Sequence, residues 1–220
     1  MNALQRWLAG LAAVAAAAAI SFVWLDRSIA LLVHDGLPRP HQALFEKLTH
    51  IPDPLVPVAT IAFVVLGLMA LAGRPLAKWQ TTLFLASVSL VMAETIKSQL
   101  KYIFGRTWPE TWVQNNPSFI HDGAYGFNWL HGGPGFQSFP SGHMTATCSV
   151  VVVLWICYPR LRPLYALVVL AVAVGLVGAD YHFLSDIIAG SFVGASTGWM
   201  AIVLCERAAK RLPSSAGPSP

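Results

Sequence analysis

The chain has 220 residues, of which 55% are hydrophobic and only 11% charged, and its mean hydropathy is +0.59. A soluble domain carries about 25% charged residues, so a water-soluble globule is excluded unless its helices are apolar on every side. A net charge of +4 does not point to nucleic acid, because the basic residues stand at the ends of apolar runs and form no patch on one face.

The first apolar run, about residues 7–25, is rich in alanine and flanked by Trp7 and Trp24. It is long for a signal-peptide core, and Trp24 suits an interfacial anchor, so a retained span is expected. Residues 26–53 read as a polar connection containing Pro38, Pro40 and Pro52, with one short amphipathic helix around 42–48. The second span is expected at about 55–72, stopped by Gly73-Arg74-Pro75. The third, about 79–104, carries Glu94, Lys97 and Lys101 in its far half. A long loop, 105–139, rich in Gly, Pro, Asn, Trp and His, follows. The fourth span is expected at about 141–158, the fifth at 164–178 and the sixth at 184–205, with a short basic turn, 159–163, between the fourth and fifth. Residues 207–220 are basic, then rich in Pro and Ser, and are expected to be disordered. Cys148, Cys157 and Cys205 lie inside apolar runs without a CxxC pair, and read as small buried residues. The expected fold class is therefore all-α: one integral membrane bundle of six transmembrane helices over residues 1–206.

With six spans, eight Lys and Arg residues fall on the side of the termini and six on the other, two of those six inside a span. The short connections place both termini in the cytoplasm. His34, His41, His50, His121, His131, His143 and His182 all fall on the opposite side, which puts the proton chemistry on one extracytoplasmic face.

Three stretches meet there: Lys101 to Pro109, Phe139 to His143, and Asp180 to Asp186. Pro140-Ser141-Gly142-His143 opens a helix, with serine suited to the cap and free N–H groups suited to an anion. His143 in that first turn is placed to deliver a proton. His182 and Asp186 are four apart and share a face if the sixth helix begins by residue 182. A carboxylate beside imidazole sets the tautomer and makes the other ring nitrogen a better nucleophile. Lys101 is costly in a span and should face a polar cavity or an acid. Arg106 is a candidate for bidentate phosphate contact. Each has a plainer reading. Ser141 is a cap, His182 and Asp186 staple a helix, Lys97 neutralises Glu94, Lys101 and Arg106 snorkel to headgroups, and Trp108 and Trp112 anchor at the interface.

Taken in order, these stretches resemble the type-2 phosphatidic acid phosphatase superfamily, whose pattern is Lys, six residues, Arg-Pro; then Pro-Ser-Gly-His; then Ser-Arg, five residues, His, three residues, Asp. The resemblance covers roughly residues 80–205. It implies that His182 attacks phosphorus, Asp186 orients it, and His143 protonates the leaving oxygen. Ser141, Gly142 and Lys101 would hold phosphate oxygens, with no metal and no cofactor. Two departures stand out: Trp108 and Leu176 occupy the arginine positions. Arg106 is the candidate substitute for the first, and His131, Lys97 and Trp108 are further candidates for substrate contact. The implied activity is hydrolysis of a lipid phosphate or diphosphate through a phosphohistidine, with a bacterial envelope lipid as substrate (isoprenoid diphosphate, glycerolipid phosphate or lipid A phosphate). The implied location is the bacterial inner membrane with the site facing the periplasm. Related membrane phosphotransferases keep the two histidines and the aspartate without these arginines, so transfer to an alcohol acceptor is the alternative. A transporter would need polar residues along the depth of several spans, and here they crowd at one end. A metal hydrolase would draw on His143, His182, Asp180 and Asp186, but Asp180 and His182 diverge on a helix.

Overall fold

The computed structural model describes residues 1–111 and 115–211, with backbone alone at 39–41 and 209–211. Trp112 and residues 212–220 lie outside the described residues. All regular structure in them is helical: α1 (Ala3–Ile20), a π-turn (Ser21–Leu25), α2 (Asp26–Gly36), α3 (Arg39–Thr49), α4 (Leu55–Leu71), α5 (Lys78–Phe104), α6 (Phe119–Asp122), α7 (Gly142–Cys157), α8 (Arg162–Gly178) and α9 (Leu184–Arg211). Only isolated bridges pair extended backbone, Arg106 with Phe127 and Gln137, and Trp108 with Ser118.

Among the described residues, four helical stretches are long and apolar enough to cross a membrane: Ala3–Gly36, Lys78–Phe104, Pro159–Gly178 and Leu184–Ala208. Leu55–Leu71 and Gly142–Cys157 are shorter apolar helices. Their outer faces carry side chains that water would not tolerate together: Leu71 is 87% exposed, Ile61 66% and Leu68 62%. In a bilayer those faces meet hydrocarbon.

Three segments differ from the sequence expectation. Residues 26–36 are not a polar connection; they continue the first helix through the π-turn, and buried Asp26 is paired with Arg106 and hydrogen-bonded to Ser21 and Ser185. The short helix expected at 42–48 is longer, spanning Arg39–Thr49. At the other end, residues 207–211 extend α9 and are not a disordered tail.

α7 and α9 form the centre, with α5 against both, α8 on α7, α4 on α5, α3 on α8 and α1 on α9. The α7–α9 contact is close because α9 presents Gly190, Gly194 and Gly198, four residues apart. A Cβ at Gly194 would stand 2.3 Å from the Thr145 carbonyl oxygen, and one at Gly190 2.6 Å from that of Ser141. Small residues at this spacing let two membrane helices approach at backbone distance. Hydroxyls complete the seam: Ser89 Oγ donates across from α5 to the Ser149 carbonyl at 2.9 Å. Around it, Met144, Cys148, Val172, Leu176 and Ile187 form an apolar core.

Candidate active site

α7 begins where the sequence predicts. Ser141 caps it, its Oγ accepting from Met144 N at 3.4 Å, while its own N–H donates to the Asp186 carbonyl at 3.0 Å. That bond pins the start of α7 to the first turn of α9. Ser141 is fully buried, so its side chain is a cap, whereas Gly142 and His143 face a cavity of about 340 Å³. Lys97, Lys101, Trp108, His182, Asp53 and Pro52 also line it. A Cβ placed on Gly142 would lie 3.5 Å from Lys97 Nζ and 3.9 Å from Lys101 Nζ. Two ammonium groups thus flank the free N–H groups of a helix start, which makes an anion-binding corner. Lys97 is partly neutralised by Glu94, Nζ to Oε2 being 2.5 Å. Lys101 donates to the Gln137 carbonyl at 2.5 Å and stands over the Trp108 ring.

His182 lies in the turn before α9, which starts at Leu184 where the sixth span is expected, so the condition for a shared helical face, a start by residue 182, is not met. Asp180 just before it adopts φ +54°, and the His182 N–H donates to the Leu176 carbonyl at 3.3 Å. Leu176 itself is a core residue and contributes only this carbonyl to the site. The imidazole still meets Asp186, Nδ1 to Oδ2 being 3.4 Å. Asp186 is held from three sides: Oδ2 accepts from Phe183 N at 3.0 Å and Ser138 Oγ at 2.7 Å, and Oδ1 pairs with Arg106. With Nδ1 turned to the carboxylate, Nε2 is the ring nitrogen left for the cavity. Burial pulls the His182 pKa below its usual range, Lys101 and Arg106 act in the same direction, and Asp186 opposes them. His143 stands opposite, ring centroid 6.4 Å away, with Nε2 3.8 Å from Asp53 Oδ1.

Arg106 is the main departure from expectation. The structure does not bring it to the cavity as a phosphate ligand; it is 0% exposed and lies behind Asp186. Nη2 pairs with Asp26 Oδ2 at 2.7 Å, Nη1 with Asp186, and Nη1 donates to Ser185 Oγ at 2.6 Å. Phe183, Phe22, Phe127 and Tyr125 surround the guanidinium, the nearest ring centroid at 4.3 Å. Its backbone reaches this position because α5 ends at Gly105 with φ +51°, where a Cβ would stand 1.9 Å from the Asn128 carbonyl oxygen. One buried cation therefore serves two buried carboxylates. His131 is not in the cavity of the histidines; it lines a second one on the far side of Lys101. Trp108 is in the first, its ring 5.1 Å from that of His182.

Asp26, Ser138, Ser185 and Asp53 were missed by sequence reasoning. Asp26 left one signal, an acid directly after an apolar run. The hydroxyls left none. Asp180, considered as a metal ligand with His182, points to His34 at 3.6 Å, and no three His, Cys, Asp or Glu side chains converge as metal ligands among the described residues.

A helical bundle with apolar outer faces and a histidine–carboxylate pair beside a cationic helix start defines a membrane protein with a histidine centre at one end. A family model described as the PAP2 superfamily matches residues 82–210, and the chain belongs to that superfamily. It is similar to the lipid A 1-phosphatases of Rhizobium etli and Rhizobium johnstonii, 28% identical to each over 116 residues, or 52% of this chain. The match spans less than half of either relative, 45% and 43%. Two solved structures share the fold. LpxE of Aquifex aeolicus superposes with a TM-score of 0.55 at 15% identity, over 81% of this chain and 95% of that one. A transmembrane PAP2-type phosphatidylglycerolphosphate phosphatase from Bacillus subtilis superposes with a TM-score of 0.54 at 18% identity, over 93% and 94%.

Proposed function

We propose that the protein is a lipid phosphatase acting through a phosphohistidine. The observation that carries this reading is the placement of His182 and His143 on opposite walls of one cavity, with Asp186 behind the first and two lysines beside the start of α7. His182 Nε2 attacks phosphorus, and the bond from phosphorus to the lipid oxygen breaks. The electron pair leaves with that oxygen, which takes a proton from His143. Water then attacks the phosphohistidine, giving its proton to His143, and the P–N bond breaks to release phosphate. Gly142 N–H, Lys101 and Lys97 hold the phosphoryl oxygens through both steps. Ser141 fixes the helix start, Trp108 packs beside His182, and Arg106 holds Asp186 in place.

An apolar groove supports a lipid substrate. It shares Pro52 with the catalytic cavity and runs along Leu55, Val150, Leu154, Tyr165 and Val168, giving a tail a hydrocarbon path to the phosphate site. The relatives' names point to a bacterial envelope lipid; lipid A phosphates, glycerolipid phosphates and isoprenoid diphosphates are the candidates. The bundle crosses the inner membrane six times, the two shorter helices included, with both termini cytoplasmic and the histidine end facing the periplasm. Phosphate release from a panel of lipid phosphates, with His182→Ala and His143→Ala alongside wild type, tests this. Wild type should release phosphate from at least one lipid, and His182→Ala from none. Full activity in His182→Ala would discard the assignment of nucleophile.

A further inference from the structure

The turn between α3 and α4 contains Pro52-Asp53-Pro54. A proline on each side of Asp53 restricts the backbone. The Asp53 N–H donates to the His50 carbonyl at 3.1 Å, and the Leu55 N–H to that of Pro52 at 2.9 Å. The side chain is held as well: Oδ2 accepts from His50 Nδ1 at 2.7 Å. Oδ1 lies 3.8 Å from His143 Nε2, and Asp53 lines the histidine cavity beside it. That separation is too long for a hydrogen bond and short enough for charge to act. The other charged groups here are committed elsewhere or carry the opposite sign. Glu94 pairs with Lys97. Asp186 pairs with Arg106 and accepts from Ser138 and Phe183. An imidazolium at His143 therefore faces Lys97, Lys101 and the His182 ring across the cavity. Among the described residues, Asp53 is the carboxylate within ion-pair distance of it. Residue 53 lies outside the stretch matched by the family model, 82–210.

We propose that Asp53 is a positioning residue for His143, its charge stabilising the imidazolium that protonates the leaving oxygen, with His50 holding the carboxylate in place. The proposal rests on the reading of His143 as the acid of a phosphoryl transfer. The proton passes from His143 to the lipid oxygen as the bond from phosphorus to that oxygen breaks. The neutral ring then takes a proton from the attacking water. Asp53 stays ionised throughout and exchanges no proton. Stabilising the charged ring raises the fraction that carries a proton when substrate arrives, at a smaller loss of acid strength. Two unit charges about 4 Å apart shift such an equilibrium by about fivefold in water, and by more against protein.

Single-turnover release of the leaving group tests this in detergent micelles, because it reports cleavage at phosphorus apart from the later hydrolysis of the phosphohistidine. Two substrates are compared: a long-chain alkyl phosphate, and a phenyl phosphate with an electron-poor ring, whose oxygen leaves without a proton. Asp53→Asn keeps the shape of the side chain and removes its charge. At about pH 8, above the ordinary histidine range, it should slow alcohol release by about fivefold or more. Phenol release should change by less than about twofold. Added to His143→Ala, the same substitution should slow alcohol release by less than about twofold further, because the carboxylate acts through the histidine. Equal slowing of both substrates would assign Asp53 to the fold alone and overturn the proposal. So would unchanged alcohol release in Asp53→Asn, or a loss of about fivefold repeated in the His143→Ala background. Release from neither substrate by wild type would instead overturn the phosphatase reading, and the proposal with it.

Discussion

Replacing Arg106 with methionine separates a buried structural cation from a substrate ligand. Asp26, Arg106 and Asp186 all have fully buried side chains, so removing the guanidinium leaves two carboxylates facing each other without a counter-ion. Breaking a buried pair by deleting one partner costs about 3–5 kcal/mol. The protein's escape is to protonate one carboxyl, and holding a carboxyl neutral about three units above its ordinary range costs about 4 kcal/mol, which agrees. Thermal unfolding in detergent should therefore fall by on the order of 10 °C. Asp26→Asn/Arg106→Met, which removes one charge of each sign, should recover part of the loss, with a coupling of more than about 1 kcal/mol. Turnover should fall with stability, since Asp186 loses the group that fixes Oδ1. If Arg106→Met left the unfolding temperature unchanged and only raised KM, the buried-cation account would be refuted, and the direct phosphate contact expected from sequence would stand instead.

His143→Ala should lower kcat by about 10²–10⁴-fold on an alkyl phosphate, and much less on a phenyl phosphate with an electron-poor ring, whose leaving oxygen needs no proton; an equal loss on both would remove His143 as the acid. Gly194→Val would drive a Cβ to 2.3 Å from the Thr145 carbonyl oxygen and should destabilise by more than about 3 kcal/mol, read as lost monodisperse protein after mild heating. Asp180 gives a pH prediction. Burial holds its carboxyl at about 7, against an ordinary 3.8, with Glu110 and Asp35 acting the same way and His34 opposing. The folded protein thus keeps a proton that the unfolded chain releases, and stability is lost as pH rises through that window. Asp180→Asn should therefore gain in unfolding temperature relative to wild type between pH 5 and pH 8; a difference constant with pH would contradict the shift.

Helices set by long apolar runs were legible within a residue or two: α4, α5 and α7 stand where Gly73-Arg74-Pro75, Gly105 and Pro140-Ser141 punctuate the chain. The continuation from α1 into α2 was not, because Asp26 and Arg27 look like the end of a span when their partners are unknown. Asp26 belongs in the bundle only once Arg106, 80 residues away, folds back to meet it. That His143, His182 and Lys101 come to one cavity was legible in position, because each stands in or beside the first or last turn of a helix at a recognisable spacing. The burial of Arg106 was not, since spacing places it near the histidine cavity but says nothing of the side toward which it turns. The turn at Gly105 decides that. The Gly190, Gly194, Gly198 stripe was present in the sequence as a spacing of four, and its meaning appears only with α7 lying on it.

The covalent intermediate tests the central claim most directly. Wild-type protein mixed with a ³²P-labelled lipid phosphate and quenched in alkali within milliseconds should carry a label that is stable to base and lost in acid, as expected for phosphorus on imidazole nitrogen. His182→Ala should carry none, and His143→Ala should still accumulate it from a substrate with a good leaving group. A label retained in His182→Ala, or none in wild type under conditions where phosphate is being released, would contradict attack by His182.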